Sequence, residues 1–222
     1  MCVEMKYSQT PKVIFLDAVG TIFGVKNNVG HIYTQLASKY GVVRDAQIIN
    51  QYFYQAFKKS PPLAFGEIEY EQVRKLEYIW WEKIAYQTFA QANALKEFTD
   101  FYAFFQELYE YFKTHQPWYI YEEVIPCLNQ WQQEGIELAI ISNFDTRIYA
   151  VLESLKLRSY FKTITISSLT GVAKPDRQIF LTALDKHQCS PEEAWYIGDS
   201  LREDYWGARN LGIKSFWLQR RN

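Results

Sequence analysis

Several side chains able to do polar chemistry stand at the edges of apolar runs. Asp17 sits in Phe15-Leu16-Asp17-Ala18-Val19-Gly20-Thr21, and Ser142-Asn143 follow Leu138-Ala139-Ile140-Ile141. Lys174 lies in Gly171-Val172-Ala173-Lys174-Pro175-Asp176, ahead of a helical pattern, and Asp199 and Asp204 lie in Gly198-Asp199-Ser200-Leu201-Arg202-Glu203-Asp204. A carboxylate at the end of a buried strand can attack phosphorus, dividing a hard hydrolysis into two easier displacements through an aspartyl-phosphate. The obstacle is charge. An anionic nucleophile approaching an anionic phosphate needs a divalent cation and fixed donors to neutralise the pair. Mg2+ takes oxygen ligands and keeps several waters, which suits Asp17, Asp199 and a main-chain carbonyl near Val19. Lys174 supplies a compact positive charge able to hold both the nucleophile and a phosphate oxygen. Ser142, beside Asn143, and Thr21 supply hydroxyls, and the N–H groups of tight turns add further donors. Singly, each has a plainer role open to it: an Asp as a helix cap, Lys-Pro as a surface turn, Gly-Asp-Ser as a common turn.

These residues gain meaning from the elements that must position them. Val13–Leu16, Glu137–Ile141, Thr163–Ile166, Ala194–Ile197 and Lys214–Leu218 are short apolar runs suited to buried strands. Between them the pattern changes to a helical period, with Ile148, Val151, Leu152 and Leu155 on one face, then Ile179, Phe180, Ala183 and Leu184 on another. Ser190-Pro191-Glu192-Glu193 carries helix-start chemistry, and Gly135 and Gly212 stand where helices should stop. Strands alternating with amphipathic helices predict an α/β fold with a doubly wound parallel sheet. In such a sheet ligands bind at the C-terminal strand ends, so the four polar segments are expected to meet.

Residues 24–118 break the alternation, with helical periodicity throughout and no convincing strand. They read as a helical-bundle insertion, leaving 1–23 and 119–222 as the α/β core. Three stripes define the bundle: Ile48, Ile49, Tyr52, Phe53, Ala56 and Phe57; Val73, Leu76, Trp80 and Ile84; and Phe98, Phe101, Tyr102, Phe105, Leu108, Tyr109 and Phe112. At that spacing they are expected to form core. Aromatic residues are 18% of the chain, and much of that excess lies here. Linkers are expected near Phe23 to Asn28 and Gln116 to Glu122.

Taken in order, the motifs resemble those of the haloacid dehalogenase-like hydrolase superfamily, in the form carrying a helical cap after the first strand. Asp17-x-x-Gly20-Thr21 matches its nucleophile motif, Ser142 the second motif, Lys174-Pro175 the third and Gly198-Asp199-Ser200-x-x-x-Asp204 the fourth. The resemblance implies a Rossmann-like core, Asp17 as nucleophile, Mg2+ as cofactor, and Asp204 anchoring the metal's surroundings without touching the ion. It also exposes a departure. Phosphatases of the superfamily place a second Asp two residues after the nucleophile, to protonate the leaving alkoxide and then activate water. Val19 can do neither, although its carbonyl can still bind metal.

Two branches lacking that Asp supply alternatives. Metal-independent 2-haloacid dehalogenases need no acid because halide leaves without a proton, but without Mg2+ Asp199 would repel a carboxylate substrate. Phosphonoacetaldehyde hydrolases use a cap lysine as a Schiff base, for which Lys58 or Lys59 could supply the amine; adjacent lysines at a helix end are also favoured there by the helix dipole. A third alternative, from another class, is a weakly active phosphate-binding or interaction module.

Composition narrows the partners. The 222 residues carry 24 Lys and Arg against 25 Asp and Glu, a formal net charge of -1 with no basic block. A nucleic-acid footprint needs a cationic surplus, so none is expected. Cys2, Cys127 and Cys189 are odd in number and widely spaced, suggesting neither disulfides nor zinc. No apolar run approaches the ~18 residues of a membrane span, and no leader pattern is visible, so a cytoplasmic location is expected. His31, His115 and His187 lie outside the motifs, with surface or packing roles expected. The combined expectation is a Mg2+-dependent hydrolase of a small phosphorylated molecule, with a cap that closes to exclude water.

Overall fold

A computed structural model describes residues 10–220, so Cys2 falls outside the described residues. The chain divides into two compact units: one takes the residues up to Gly24, Leu63–Ile68 and those from Ile120 on; the other takes Val25–Pro62 and Glu69–Tyr119.

The first unit is built on a parallel five-stranded sheet. Its strands are β1 (Val13–Leu16), β4 (Glu137–Ser142), β5 (Thr163–Ile166), β6 (Ala194–Gly198) and β7 (Lys214–Trp217), in the order β5-β4-β1-β6-β7. All four β1 residues are buried, as a central strand covered on both faces requires. Leu16 pairs with Ile140 on one side and Ile197 on the other. Asp17, Ser142 and Asp199 therefore follow at the same end of neighbouring strands, where the order reverses around β1.

Helices α5 (Val124–Gln133), α6 (Arg147–Ser154), α7 (Ser167–Thr170), α8 (Arg177–His187) and α9 (Gly207–Arg209) complete this unit. Val13, Phe15, Ala139, Ile141, Ala194 and Tyr196 face Ile179, Phe180, Ala183 and Leu184 of α8 and Ala208 of α9. Leu16, Trp195 and Ile197 instead line a cavity of about 200 Å³ with Val124, Leu128 and Trp131 of α5. Leu63–Ile68, inside the stretch that reads from sequence as one helical insertion, groups with this unit. Ser167 Oγ donates to the Leu63 carbonyl at 2.7 Å, and Gly66 N–H to the Gly171 carbonyl at 3.3 Å.

The second unit holds α1 (Val29–Ser38), α2 (Ala46–Lys59), α3 (Tyr70–Gln91) and α4 (Phe101–Tyr111). Asn28, Asp45 and Asp100 start α1, α2 and α4 by accepting from first-turn N–H groups. Tyr33, Phe53, Phe89 and Phe104 are buried among packed rings. The expected stripes are displaced in places. Tyr102 is 70% exposed while Phe104 is fully buried, because two residues along a helix is more than half a turn and the buried face settles on Phe104, Phe105, Leu108 and Tyr109. Ile48, Phe57 and Leu76 are exposed as well.

The expectation of no strand at the ends of the insertion is corrected. β2 (Phe23–Val25) and β3 (Trp118–Ile120) pair as a two-stranded ribbon on the two chain crossings. Ser190-Pro191-Glu192-Glu193 forms a capping box around a single 3₁₀ turn. Among the described residues no helix is long and apolar enough to cross a membrane.

Candidate active site

Asp17 continues β1 into the loop, donating its N–H to the Ile197 carbonyl at 3.0 Å. The chain then turns sharply. Ile22 N–H reaches back to the Ala18 carbonyl at 2.8 Å, and Gly20 adopts φ 89°, a left-handed conformation that favours glycine. A Cβ on Gly20 would also lie 2.3 Å from the Asp199 Oδ2, so only glycine lets that carboxylate lie against the loop. A short bridge forms between Val19 and Phe23, using the Ala18 carbonyl and the Gly20 N–H. The Val19 carbonyl takes no part in it.

Lys174 is brought to Asp17 by Asn143. The Asn143 Oδ1 accepts from the Lys174 N–H at 2.7 Å while Nδ2 donates to the Lys174 carbonyl at 3.1 Å, gripping the backbone at two points. The buried ammonium then donates to Asp17 Oδ1 at 2.6 Å, to Asp204 Oδ1 at 2.6 Å and to the Tyr196 hydroxyl at 2.9 Å. These three bonds use all the protons an ammonium has. Lys174 is thus occupied, in this arrangement, by side chains where sequence reasoning reserved one proton for a phosphate oxygen.

Asp204 is placed by a widened, π-helical turn over Leu201–Trp206, in which the N–H groups of Asp204 and Tyr205 share the Ser200 carbonyl at 3.1 Å. Its Oδ2 accepts from Ser200 N–H at 2.9 Å, and its Oδ1 serves Lys174 and Tyr196. Glycine at 198 is required, since a Cβ there would lie 2.3 Å from the Asp204 carboxyl carbon. Asp199 stands beside this buried core with its side chain exposed.

Three carboxylates against one ammonium leave a formal excess of two negative charges. Burial, reinforced by Asp204 and Asp199 and only partly offset by Lys174, pushes the Asp17 carboxyl up to about 6. Burial alone would lower Lys174, but Asp17 and Asp204 outweigh it and hold the ammonium above the ordinary lysine value. Tyr196 is raised well above the usual phenol by burial and by the charges of Asp204 and Asp17, so it remains a neutral hydroxyl. Asp199 is raised by partial loss of water and by Asp204.

This donor set fits a hard dication. One oxygen from each of Asp17, Asp199 and Asp204 lies within 4.8 Å of the others. Both oxygens of Asp204 accept from protein donors, Oδ1 from Lys174 and Oδ2 from the Ser200 N–H.

The remaining expected residues take varied places. Ser142 is buried at the end of β4, two positions past Ile140. Thr21 is not joined to the Lys174 network; it lines the apolar cavity under α5, and its hydroxyl is buried without a hydrogen-bond partner. Lys58 and Lys59 end α2 and are exposed, as are His31 and His115. His187 is buried between Glu137 and Thr163, at 2.6 and 2.7 Å.

Three participants escaped sequence reasoning. Tyr196 reads as one more core aromatic of β6. Glu203, held at 3.2 Å by Asn143, is raised by burial, with Asp204 and Asp17 opposing the pull of Lys174. Arg220 donates to the Gly20 carbonyl at 2.9 Å and the Thr21 carbonyl at 2.5 Å, pairs with Glu123 and stacks on Tyr121. Only its approach to the nucleophile loop reveals it.

Residues 11–212 match the family described as haloacid dehalogenase-like hydrolase. The chain belongs to that family. The cattle haloacid dehalogenase-like hydrolase domain-containing protein 3 (Bos taurus) is 31% identical over 209 residues, covering 92% of this chain and 80% of that protein. The rhythmically expressed gene 2 protein of Drosophila melanogaster is 28% identical over 215 residues, covering 92% and 81%. Among solved structures, a HAD phosphatase from Thermococcus onnurineus superposes with a TM-score of 0.64 at 20% identity, covering 96% of this chain and 88% of that one. The L-2-haloacid dehalogenase of Xanthobacter autotrophicus gives 0.67 at 17% identity, covering 96% and 79%. At such identities the two show a shared Rossmann-like fold, which hosts both phosphatase and dehalogenase chemistry.

Proposed function

We propose that this haloacid dehalogenase-like hydrolase is a Mg2+-dependent phosphatase of a small phosphorylated molecule, working in the cytoplasm through an aspartyl-phosphate on Asp17. The observation that carries this reading is the excess of negative charge in the Asp17, Asp199, Asp204 and Lys174 cluster. Such a cluster repels a 2-haloacid's carboxylate, whereas a bound dication would reverse its sign toward phosphate. Asp17, the Val19 carbonyl and Asp199 would hold Mg2+, which when bound screens the nucleophile and phosphate charges from each other.

The chain's own groups supply the rest. Lys174 fixes Asp17 through Oδ1, leaving Oδ2 to form the new bond to phosphorus as the ester P–O bond breaks and its electrons go to the leaving oxygen. Val19 offers no proton, so that oxygen takes one from water. A second water then attacks phosphorus, releasing inorganic phosphate and regenerating Asp17. Asn143 keeps Lys174 in place, and Ser142, buried at the end of the adjacent strand, would donate its hydroxyl to phosphate oxygens.

The test is a set of phosphoesters, a phosphonate and a 2-haloacid offered to one purified sample with and without Mg2+. Phosphate release that needs Mg2+ and vanishes in Asp17→Asn is expected. Halide release without metal would replace this reading with the dehalogenase one.

A further inference from the structure

Tyr196 stands where no motif and no expected site residue lies, yet its hydroxyl touches the centre of the charged cluster. It belongs to the middle of β6, whose other side chains serve the sheet's two apolar faces. Full burial of a phenol requires a partner for its hydroxyl. Here the Lys174 ammonium donates to it at 2.9 Å, and its one proton has two acceptors in reach, Asp204 Oδ1 at 2.9 Å and the Ile141 carbonyl at 3.0 Å.

We propose that Tyr196 is a positioning residue for the hydrolytic site, its hydroxyl fixing the Lys174 ammonium so that one N–H stays aimed at Asp17. The geometry explains why the hydroxyl is needed. An ammonium on four methylenes swivels unless all three protons are bound. Asp17 and Asp204 hold two of them, and both bonds lie between charges that substrate binding perturbs. The third bond goes to a neutral group on the rigid β6, whose own proton has the Asp204 carboxylate and the Ile141 carbonyl of β4 in reach. A phenyl ring at position 196 would keep the packing against Phe180, whose ring centre is 5.5 Å away, and remove only that anchor.

The proposal rests on the phosphatase reading, so its test has one arm that needs no turnover. In ¹⁵N-lysine-labelled parent protein, the Lys174 ammonium, assigned by its loss in Lys174→Arg, should give a resolved signal with slow proton exchange. In Tyr196→Phe that exchange should quicken about tenfold or more, because one of three bonds has gone, and the thermal midpoint should fall by several degrees, since a buried ammonium proton is left unpaired. In the second arm, Tyr196→Phe should lower kcat on an aryl phosphate about tenfold with KM within about twofold, the pattern of a lost alignment rather than lost binding. A parent that hydrolyses no phosphoester defeats the phosphatase reading while the exchange arm still decides this one. If Tyr196→Phe does not fold, the parent spectrum alone decides. Absence of a slowly exchanging Lys174 signal in the parent, or unchanged exchange in a folded Tyr196→Phe, overturns the proposal.

Discussion

At the scale of single residues, the site is an exercise in concentrating charge and then restraining it. Asp17 is held up to about 6 by burial and by neighbouring carboxylates, so near neutral pH it is ionised and below that it gathers a proton. A metal ligand must shed its proton first. Mg2+ binding, measured by titration calorimetry, is therefore expected to be about tenfold weaker near pH 5 than near pH 7; equal affinity at the two values would remove Asp17 from the ligand set. Val19 makes a second expectation. With no acid to protonate the leaving oxygen, aryl phosphates should release their alcohol far faster than alkyl phosphates in single turnover. Val19→Asp should narrow the gap, a positioned acid being worth roughly a hundredfold. Similar parent rates on both, with chemistry limiting, would mean that another group supplies the proton. Asp17 and Asp199 were legible because each follows an apolar run with a charge, and Lys174 and Asp204 through the ordered motifs that they complete. Tyr196 was not, since an aromatic in a buried strand looks the same whether or not its hydroxyl does anything.

Among the elements, legibility followed length and burial. β1, β4, β5 and β6 stood out as buried runs ended by a polar residue, and α6 and α8 by their period. β2 and β3 have three residues each, too few for alternation to show, and they exist because two chain crossings meet in space. The stripe on α4 was misplaced at Tyr102 because a helix crowded with aromatics offers several faces of similar hydrophobicity, and packing chooses among them. Arg220 illustrates a contact between elements that no pattern announces. By accepting from it, the carbonyls of Gly20 and Thr21 are pinned while Glu123 and Tyr121 hold its guanidinium. Arg220→Ala is expected to leave the sheet intact but loosen the nucleophile loop, lowering kcat several-fold and raising amide hydrogen exchange at residues 19–22. Protection of those amides equal to the parent's would show that the loop holds itself.

For the molecule as a whole, Mg2+ held by the carboxylate cluster, as proposed, would couple stability to metal. A ligand that binds only the folded chain at a hundred times its dissociation constant adds about 2.7 kcal/mol, which in a chain of this size raises the melting midpoint by roughly 5–10 °C. Mg2+ should do this for the parent and fail to do so for Asp199→Asn; an equal rise in both would place the ion elsewhere. The central claim is chemical, that Asp17 itself takes the phosphoryl group, and one measurement reaches it directly. The protein is quenched in acid during Mg2+-supported turnover of an aryl phosphate, reduced with borohydride to trap any acyl-phosphate, and mapped by peptide mass. The account predicts a reduced side chain at Asp17 alone, absent without substrate and absent in Asp17→Asn. Brisk turnover, under conditions where breakdown of the intermediate is limiting, with Asp17 unmodified or the label on another residue, would contradict it.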